Sequence, residues 1–555
     1  MRDEVKQTIE WMLIDEKGKP VCNFRPYVQK VIEVVFDTKV KKYLKLNLQF
    51  QDNEQIEVFV LLDELEKTEW NLVCERCVVN FCNKNAKGII GNTIRNDLYK
   101  ASYEKMYGVK RTGLHRINDI VFFFTGKDII VRKVDNDLKD KIWIEDSPLV
   151  LDMDPDISLK ESFDGMWELI NLVPETGVIL LAHAIGGIMQ QAYRDAGFNP
   201  CTILEVVGES GMFKTTYVPQ IVQLYNRSKG IRPETRFNST NRFIEDLLCS
   251  YYDCTIVIDD LHTAQSSEIK RKNEVTAEEI IRRISDNTGQ GHKEGNSMVQ
   301  REFRANVVFT GEYIIGQEST ASRLLVVQMS KRPDGKILDK YQREKPLLVS
   351  TFYYYFIRWY LEHYEEVVTE INERLTRFRT NAVDFSIHGR LRDSIFYLQT
   401  SFMFFLEFSH QSGFLHKGKA TYLHDKFGIW LNELVREQQN RIGANHEKKG
   451  DMDFMEFIRK MYKSKKIFIA KSVETFNPEV HDGLIYYECL CIRREILKKF
   501  VRKFNPCINV EEVLRKLVSA NALKLVGDKR TVKISKLNKT IGSIRFYAIH
   551  LHVLE

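Results

Sequence analysis

The stretch Gly208-Glu-Ser-Gly-Met-Phe-Lys-Thr-Thr216 sets two glycines, a lysine and three hydroxyl side chains close together. That set suits a ligand with several phosphate oxygens. Glycine lets a loop turn its backbone N–H groups toward an anion at the positive end of a helix. Lys214 would neutralise the β- and γ-phosphates of ATP, and the Thr215 hydroxyl would hold Mg2+. Gly208, Glu209, Ser210, Gly211, Met212, Phe213 and Thr216 would complete the cradle. One position departs from the pattern G-x-x-x-x-G-K-[ST]. Phe213 stands where glycine is usual, and its Cβ and ring oblige the loop to adjust.

Forty-odd residues on, Thr255-Ile-Val-Ile-Asp-Asp260 is an apolar run ending in two acids. Asp259 is placed to bind Mg2+ through water. Asp260 stands where a general base would polarise the attacking water. The next such run, Asn306-Val-Val-Phe-Thr310, ends in a hydroxyl that suits a γ-phosphate sensor. Asn306 is the weaker alternative because it opens the run. Arg323 follows at the start of the last run, where an arginine suits stabilisation of phosphoryl-transfer charge in a neighbouring subunit's site.

These residues need elements to hold them. Ile203–Val207, Thr255–Ile258, Val307–Thr310 and Leu324–Met329 are short and wholly apolar, with helical pattern between them. Such runs imply a parallel sheet covered on both faces. The expected fold class is an α/β P-loop core at 151–345. An α+β domain precedes it at 1–150, a helical segment follows at 346–450, and a winged-helix-like domain closes the chain at 451–555. In the first domain Lys30–Phe36, Leu44–Phe50 and Ile56–Leu61 read as strands, and a helical stretch covers Leu62 to Tyr99. In the last, helices are expected near 452–462, 493–504 and 510–519. Strands are expected near 523–526, 531–534 and 543–549, with Lys529 and Arg530 in a hairpin loop facing DNA.

The chain has 555 residues and a formal charge of +6. Residues 451–555 carry 21 Lys and Arg against 12 Asp and Glu, a net of +9, which leaves −3 on the rest. That asymmetry points the C-terminal segment at a polyanion. The longest apolar stretch, Val178 to Met189, is too short to span a bilayer and reads as a buried helix. The N-terminus lacks the apolar core of a signal peptide, so the expected location is cytoplasmic, with no membrane partner. Cys22, Cys74, Cys77 and Cys82 include one C-x-x-C pair. The second half of a zinc site is missing, and a buried helical face is the plainer reading of Cys74 and Cys77.

The order of motifs resembles the AAA+ ATPases of mobile genetic elements and phages. That family, formerly a domain of unknown function, includes the self-loading replicative helicases of staphylococcal cassette chromosomes and pathogenicity islands, which are similar to minichromosome maintenance helicases. Arg111-Thr-Gly-Leu-His115 resembles its Thr-Gly-Trp-His element, and Gly208–Thr216 its P-loop. Phe237-Asn-Ser-Thr240, Asp286-Asn-Thr-Gly-Gln-Gly-His-Lys293, Thr310-Gly-Glu312 and Ser322-Arg323 complete the series over roughly residues 10–330. Phe213 for glycine, Asp260 for glutamate and Leu114 for tryptophan depart from it, although superfamily-three viral helicases also carry Asp-Asp here. The resemblance implies a hexameric ring with ATP between subunits and Arg323 acting in trans. It also implies a DNA-facing hairpin with His292 and Lys293 at its tip, and work on single- and double-stranded DNA. An element-encoded primase, polymerase or initiator is an implied partner. The runner-up reading is a DNA-binding AAA+ initiator or loader with little unwinding.

Overall fold

The computed structural model describes the chain except residues 1–11, 37–38, 81, 228–233, 238, 262–266, 287–291, 295–296, 300–302, 313, 315–317, 382–387, 451–453, 465, 505–509, 528, 536, 538–542 and 555. For some further residues, Asp260, His292 and Lys293 among them, only the backbone is described. The chain forms two compact units, Met1–Gln439 and Asn440–Glu555.

In the first unit, β1 (Arg25–Val35), β2 (Val40–Gln49) and β3 (Gln55–Leu61) form an antiparallel meander. Helix α1 (Ala86–Asp97) leads to β4 (Ser102–Val109), which runs parallel to β1. The residues between β3 and α1 depart from the expected long helix. Only Trp70–Val73 is α-helical there, and Cys74 ends that turn. Cys74 and Cys77 therefore do not share a helical face. Cys77 is instead buried with Cys22 and Trp70 in the core of this sheet, and Cys22 Sγ donates to the Phe24 carbonyl at 3.1 Å. Among the described residues no group of three or more His, Cys, Asp or Glu could hold a metal ion. A second antiparallel meander joins β5 (Gly113–Ile117), β6 (Ile120–Phe124) and β7 (Ile129–Val131), and β8 (Ile142–Ile144) extends the first sheet beside β4.

Next come α2 (Leu159–Asn171), α3 (Pro174–Ile188) and α4 (Gln190–Asp195). Ser158 caps α2 by accepting from the Glu161 N–H, with the acid three residues on that a capping box requires. Helix α3 is buried on nearly every side, which is why its sequence shows no polar face. None of the described helices is long and apolar enough to cross a membrane.

The central sheet has β9 (Ile203–Val207), β10 (Glu234–Arg236), β11 (Thr255–Leu261), β14 (Asn306–Gly311) and β15 (Leu324–Gln328), with the short hairpin β12 (His292–Glu294) and β13 (Ser297–Val299) inserted before β14. Its strand order is β10-β11-β14-β9-β15, and every pairing is parallel. Helices α5 (Lys214–Val222), α6 (Asn241–Ser250) and α7 (Ser267–Ser285) make the crossovers. Helices α8 (Gly335–Arg343), α9 (Leu348–Glu362), α10 (Tyr364–Asn381), α11 (Gly389–Gln411) and α12 (Lys417–Gly450) follow. The aromatic stripe 352–360 is core: Phe352, Tyr353, Phe356 and Tyr360 are fully buried.

The second unit holds α13 (Phe454–Lys463), β16 (Ile469–Ala470), β17 (Gly483–Tyr486), β18 (Cys489–Arg493), α14 (Arg494–Phe504), α15 (Val510–Ser519), β19 (Val532–Ile534) and β20 (Ile544–His550). The strands form one five-stranded sheet, β16-β17-β18-β20-β19. Three helices and the strands β19 and β20 fall near their expected places, but β19 pairs with β20 rather than forming the hairpin expected around 528–530. Residues 523–526 are not a strand. They contribute two isolated bridges, Leu523 to Ile549 and Val526 to Lys529, because the chain turns at Gly527. The sequence reading also missed β16–β18, whose two to five residues carry too little periodicity to stand out.

Candidate functional site

The loop 208–213 leaves the C-terminal end of β9, and α5 starts at Lys214. The residue ahead of α5 needs a left-handed backbone, and Phe213 adopts it at φ 60°, ψ 25°. Glycine reaches that region freely, whereas a bulky residue there is strained. The ring is accommodated outside the loop. The Arg332 guanidinium lies 4.2 Å from its centroid, and a Cβ on Gly335 would sit 3.3 Å from its Cε2. Phenylalanine thus keeps the turn a glycine would make and carries its side chain onto the segment leading to α8.

Lys214 Nζ donates to the carbonyls of Gly208 at 2.6 Å and Glu209 at 2.8 Å. Burial draws its ammonium below the ordinary lysine value, and the carboxylates of Glu312 and Asp259 oppose that shift. The Thr215 hydroxyl donates to Asp259 Oδ1 at 3.2 Å, and the Thr310 hydroxyl donates to the same oxygen. Two hydroxyls from two elements thus converge on one buried carboxylate.

A local irregularity of the sheet makes this convergence possible. Ile258 pairs with Phe309 and Leu261 with Gly311, so Asp259 and Asp260 together face the single residue Thr310. This is a β-bulge, and a bulge re-aims a side chain that regular pleating would place elsewhere. The backbone of Asp260 lies in this bulge, and its side chain is outside the described residues. Ser210, Gly211, Met212, Phe213, Thr216 and Glu312 line the same cleft, of about 280 Å³. A second cleft of about 550 Å³ shares Thr215, Thr216 and Asp259 with it and extends to Arg236, Tyr341, Gln342 and Lys345.

The other expected residues fall elsewhere. Asn306 opens β14, at the far end of the sheet, where its amide donates to the His183 carbonyl at 2.7 Å and to the Tyr397 hydroxyl at 2.8 Å. Arg323 precedes β15, whose Leu324 pairs with Ile203 at the start of β9. A five-residue strand spans about 16 Å, so Arg323 stands far from its own chain's loop. Its guanidinium donates to Asp286 Oδ1 at 3.2 Å, as does that of Arg390 at 3.2 Å. His292 and Lys293 lie along β12, paired with Val299 and Met298 of β13, and not at the hairpin tip where they were expected, since Glu294 and Ser297 pair beyond them; their side chains are outside the described residues. In the second unit Lys529 forms an isolated bridge with Val526, and Arg530 follows it.

Sequence reasoning assigned no role to Glu312, Arg332, Arg236, Lys345 or Arg390. Glu312 follows Thr310 by two residues and was within reach of a motif argument. Arg332 and Lys345 belong to no pattern, and only folding brings Arg332 to the Phe213 ring and Lys345 to the larger cleft.

No family model matches the chain, and no curated protein matches it. Among solved structures, the chain is similar to one described as the SCCmec type IV Cch active helicase, with a TM-score of 0.58 and 12% identity over 98% of this chain and 97% of that one. Two further matches are weaker: the apo NrS-1 C-terminal region, TM-score 0.29 at 9% identity over 95% and 96% of the two chains, and JCV helicase, TM-score 0.20 at 12% identity over 58% and 81%. The class is therefore a mixed α/β fold with a parallel central sheet, shared along nearly the whole chain with a helicase structure.

Proposed function

We propose that this chain is an ATP-driven DNA helicase of a mobile genetic element, similar to minichromosome maintenance helicases and active as a hexameric ring. The observation that carries this reading is the meeting of Thr215, Thr310 and Asp259 beside Lys214, around a loop whose left-handed residue is kept although it is phenylalanine. In this reading the smaller cleft takes the triphosphate. Lys214 exchanges its two carbonyl partners for phosphate oxygens, and Thr310 senses the γ-phosphate. Thr215 and Asp259 are the residues that would hold Mg2+, which would screen the phosphate charge. Asp260 orients the attacking water as its general base. The larger cleft, which shares Thr215 and Thr216, has room for the ribose and base.

Arg323 then serves a neighbouring copy, since its own loop is a strand length away. The hairpin β12–β13, with His292 and Lys293, faces single-stranded DNA in the ring. The C-terminal domain, through Lys529 and Arg530, binds duplex DNA as a winged helix. An element-encoded primase or initiator is the partner in view, and the cytoplasm is the proposed location. The domain limits proposed are 1–150, 151–345, 346–450 and 451–555.

The test is ATP-dependent separation of a forked DNA by the wild type, Lys214→Ala and Arg323→Ala. Unwinding by the wild type, lost in both variants, supports the reading. DNA and ATP binding without strand separation would replace it with an initiator or loader.

A further inference from the structure

In the second unit, Tyr486 of β17 pairs with Cys489 of β18, so a two-residue turn, Tyr487–Glu488, joins the strands. Both residues have positive φ, 44° and 54°. A two-residue hairpin turn left-handed at both positions is ordinarily filled by Asn, Asp or Gly. A tyrosine in this conformation is strained, and such strain persists where function retains it. Burial does not compensate for it here, because Tyr487 is 73% exposed.

The surroundings hold the ring in place. Tyr486 meets it edge-on, with centroids 4.4 Å apart and planes at 76°. The Leu551 N–H donates to the Glu488 carbonyl at 2.9 Å, which fastens the turn to the end of β20. Lys524, anchored by its own N–H to the Ala548 carbonyl at 2.8 Å, places its ammonium 5.8 Å from the Tyr487 centroid. His550 pairs with Cys489 beside the turn, and its ring lies 5.3 Å from that of His552. Glu488 is the acid nearest the ring in sequence. The unit as a whole is strongly basic. An aromatic face presented to solvent beside a lysine suits a base stacked on the ring with its phosphate on the ammonium.

We propose that Tyr487 is a stacking platform for an unpaired base of single-stranded nucleic acid, with Lys524 contacting the adjoining phosphate. This rests on the nucleic-acid reading above and adds a binding residue to it. The test uses the full chain and a fluorescein-labelled oligothymidine followed by anisotropy at fixed salt, beside a blunt duplex. Tyr487→Ala is expected to weaken oligothymidine binding about tenfold, within the range of one lost stacking contact, and to leave the duplex unchanged. Tyr487→Trp retains binding. Lys524→Ala lowers the salt dependence by about 0.7 in the log–log slope. Tyr487→Asn suits the turn better, so it should hold or raise the melting temperature while still losing oligothymidine affinity, an outcome a merely structural role would not give.

Equal binding by wild type and Tyr487→Ala overturns the platform alone. An equal loss on duplex and single strand also overturns it, pointing to the fold or to another surface. A wild type that binds no nucleic acid overturns the platform and the proposed function together.

Discussion

At the residue scale, Phe213 separates two things that a motif treats as one: the backbone shape of a loop and the residue that usually supplies it. Its left-handed conformation costs about 1–3 kcal/mol, partly offset by contact with Arg332. Phe213→Gly should therefore keep ATP affinity within about threefold and raise stability by about 1 kcal/mol. Phe213→Val, with a β-branched side chain that tolerates this region poorly, should weaken ATP binding at least tenfold. A fluorescent-nucleotide titration beside thermal melts checks both, and valine binding as well as phenylalanine would refute the account of the loop. Thr310→Ala removes one of two hydroxyls on Asp259. Steady-state ATPase should show kcat falling by about 10- to 100-fold with ATP affinity little changed, and an unchanged kcat would remove Thr310 from the site.

At the element scale, β11 is held at both ends. Its bulge shapes the cleft, while the residue two before it, Asp253, is fully buried. Asp253 accepts from the Leu114 N–H at 2.7 Å and from Arg304 at 2.5 Å. The Gly113–Ile117 strand is thereby pinned to the root of the strand bearing Asp259. Gly113 has φ 102°, and a Cβ there would fall 2.7 Å from the Tyr252 carbonyl oxygen. Gly113→Ala should therefore destabilise the fold by about 2–4 kcal/mol in denaturant unfolding. Gly18→Ala, where φ is 75° and nothing lies within 4 Å, should cost only about 1 kcal/mol. Equal effects would dismiss the packing argument.

His183 on α3 supplies a second test at this scale. It is fully buried, beside the Val307 carbonyl at 3.2 Å, and burial lowers its pKa to about 3. The unfolded chain takes up this proton near pH 6.5 and the folded chain does not, so stability falls as pH drops from about 6.5 toward 3. The slope from this one group is about 1.4 kcal/mol per pH unit. Replacing His183 with Gln should flatten that part of the stability–pH curve, whatever it does to the absolute value, and an unaltered slope would count against the buried neutral imidazole.

At the scale of the whole molecule, charge is divided between regions of different composition. Residues 451–555 carry the excess of +9. Nucleic-acid affinity should fall steeply with salt. Lys529→Ala should lower the log–log slope for duplex binding by about 1 and weaken all sequences alike. A slope unchanged by that substitution would take Lys529 out of the contact surface.

The sequence by itself determined the chemistry-bearing order of the central unit: a glycine-bearing loop with its lysine and threonines, two later strand ends bearing acid and hydroxyl, and continuous apolar strands that require a covered parallel sheet. These are local properties, written in residue type and spacing. It also marked Phe213 as anomalous, without showing how the ring escapes the loop. Tertiary structure alone decided that Thr215 and Thr310 share one oxygen of Asp259, because the register slip that aims the carboxylate depends on pairing between strands fifty residues apart. That Thr310 lies at the cleft and Asn306 at the opposite end was already legible, because Asn306 opens the run and Thr310 ends it. Of the helical stretch expected across 62–99, Ala86–Asp97 formed, but the part before it broke for the complementary reason. Its apolar residues, Trp70 and Cys77 among them, satisfy a sheet core, and contact with that core overrides a local preference worth only tenths of a kcal/mol per residue.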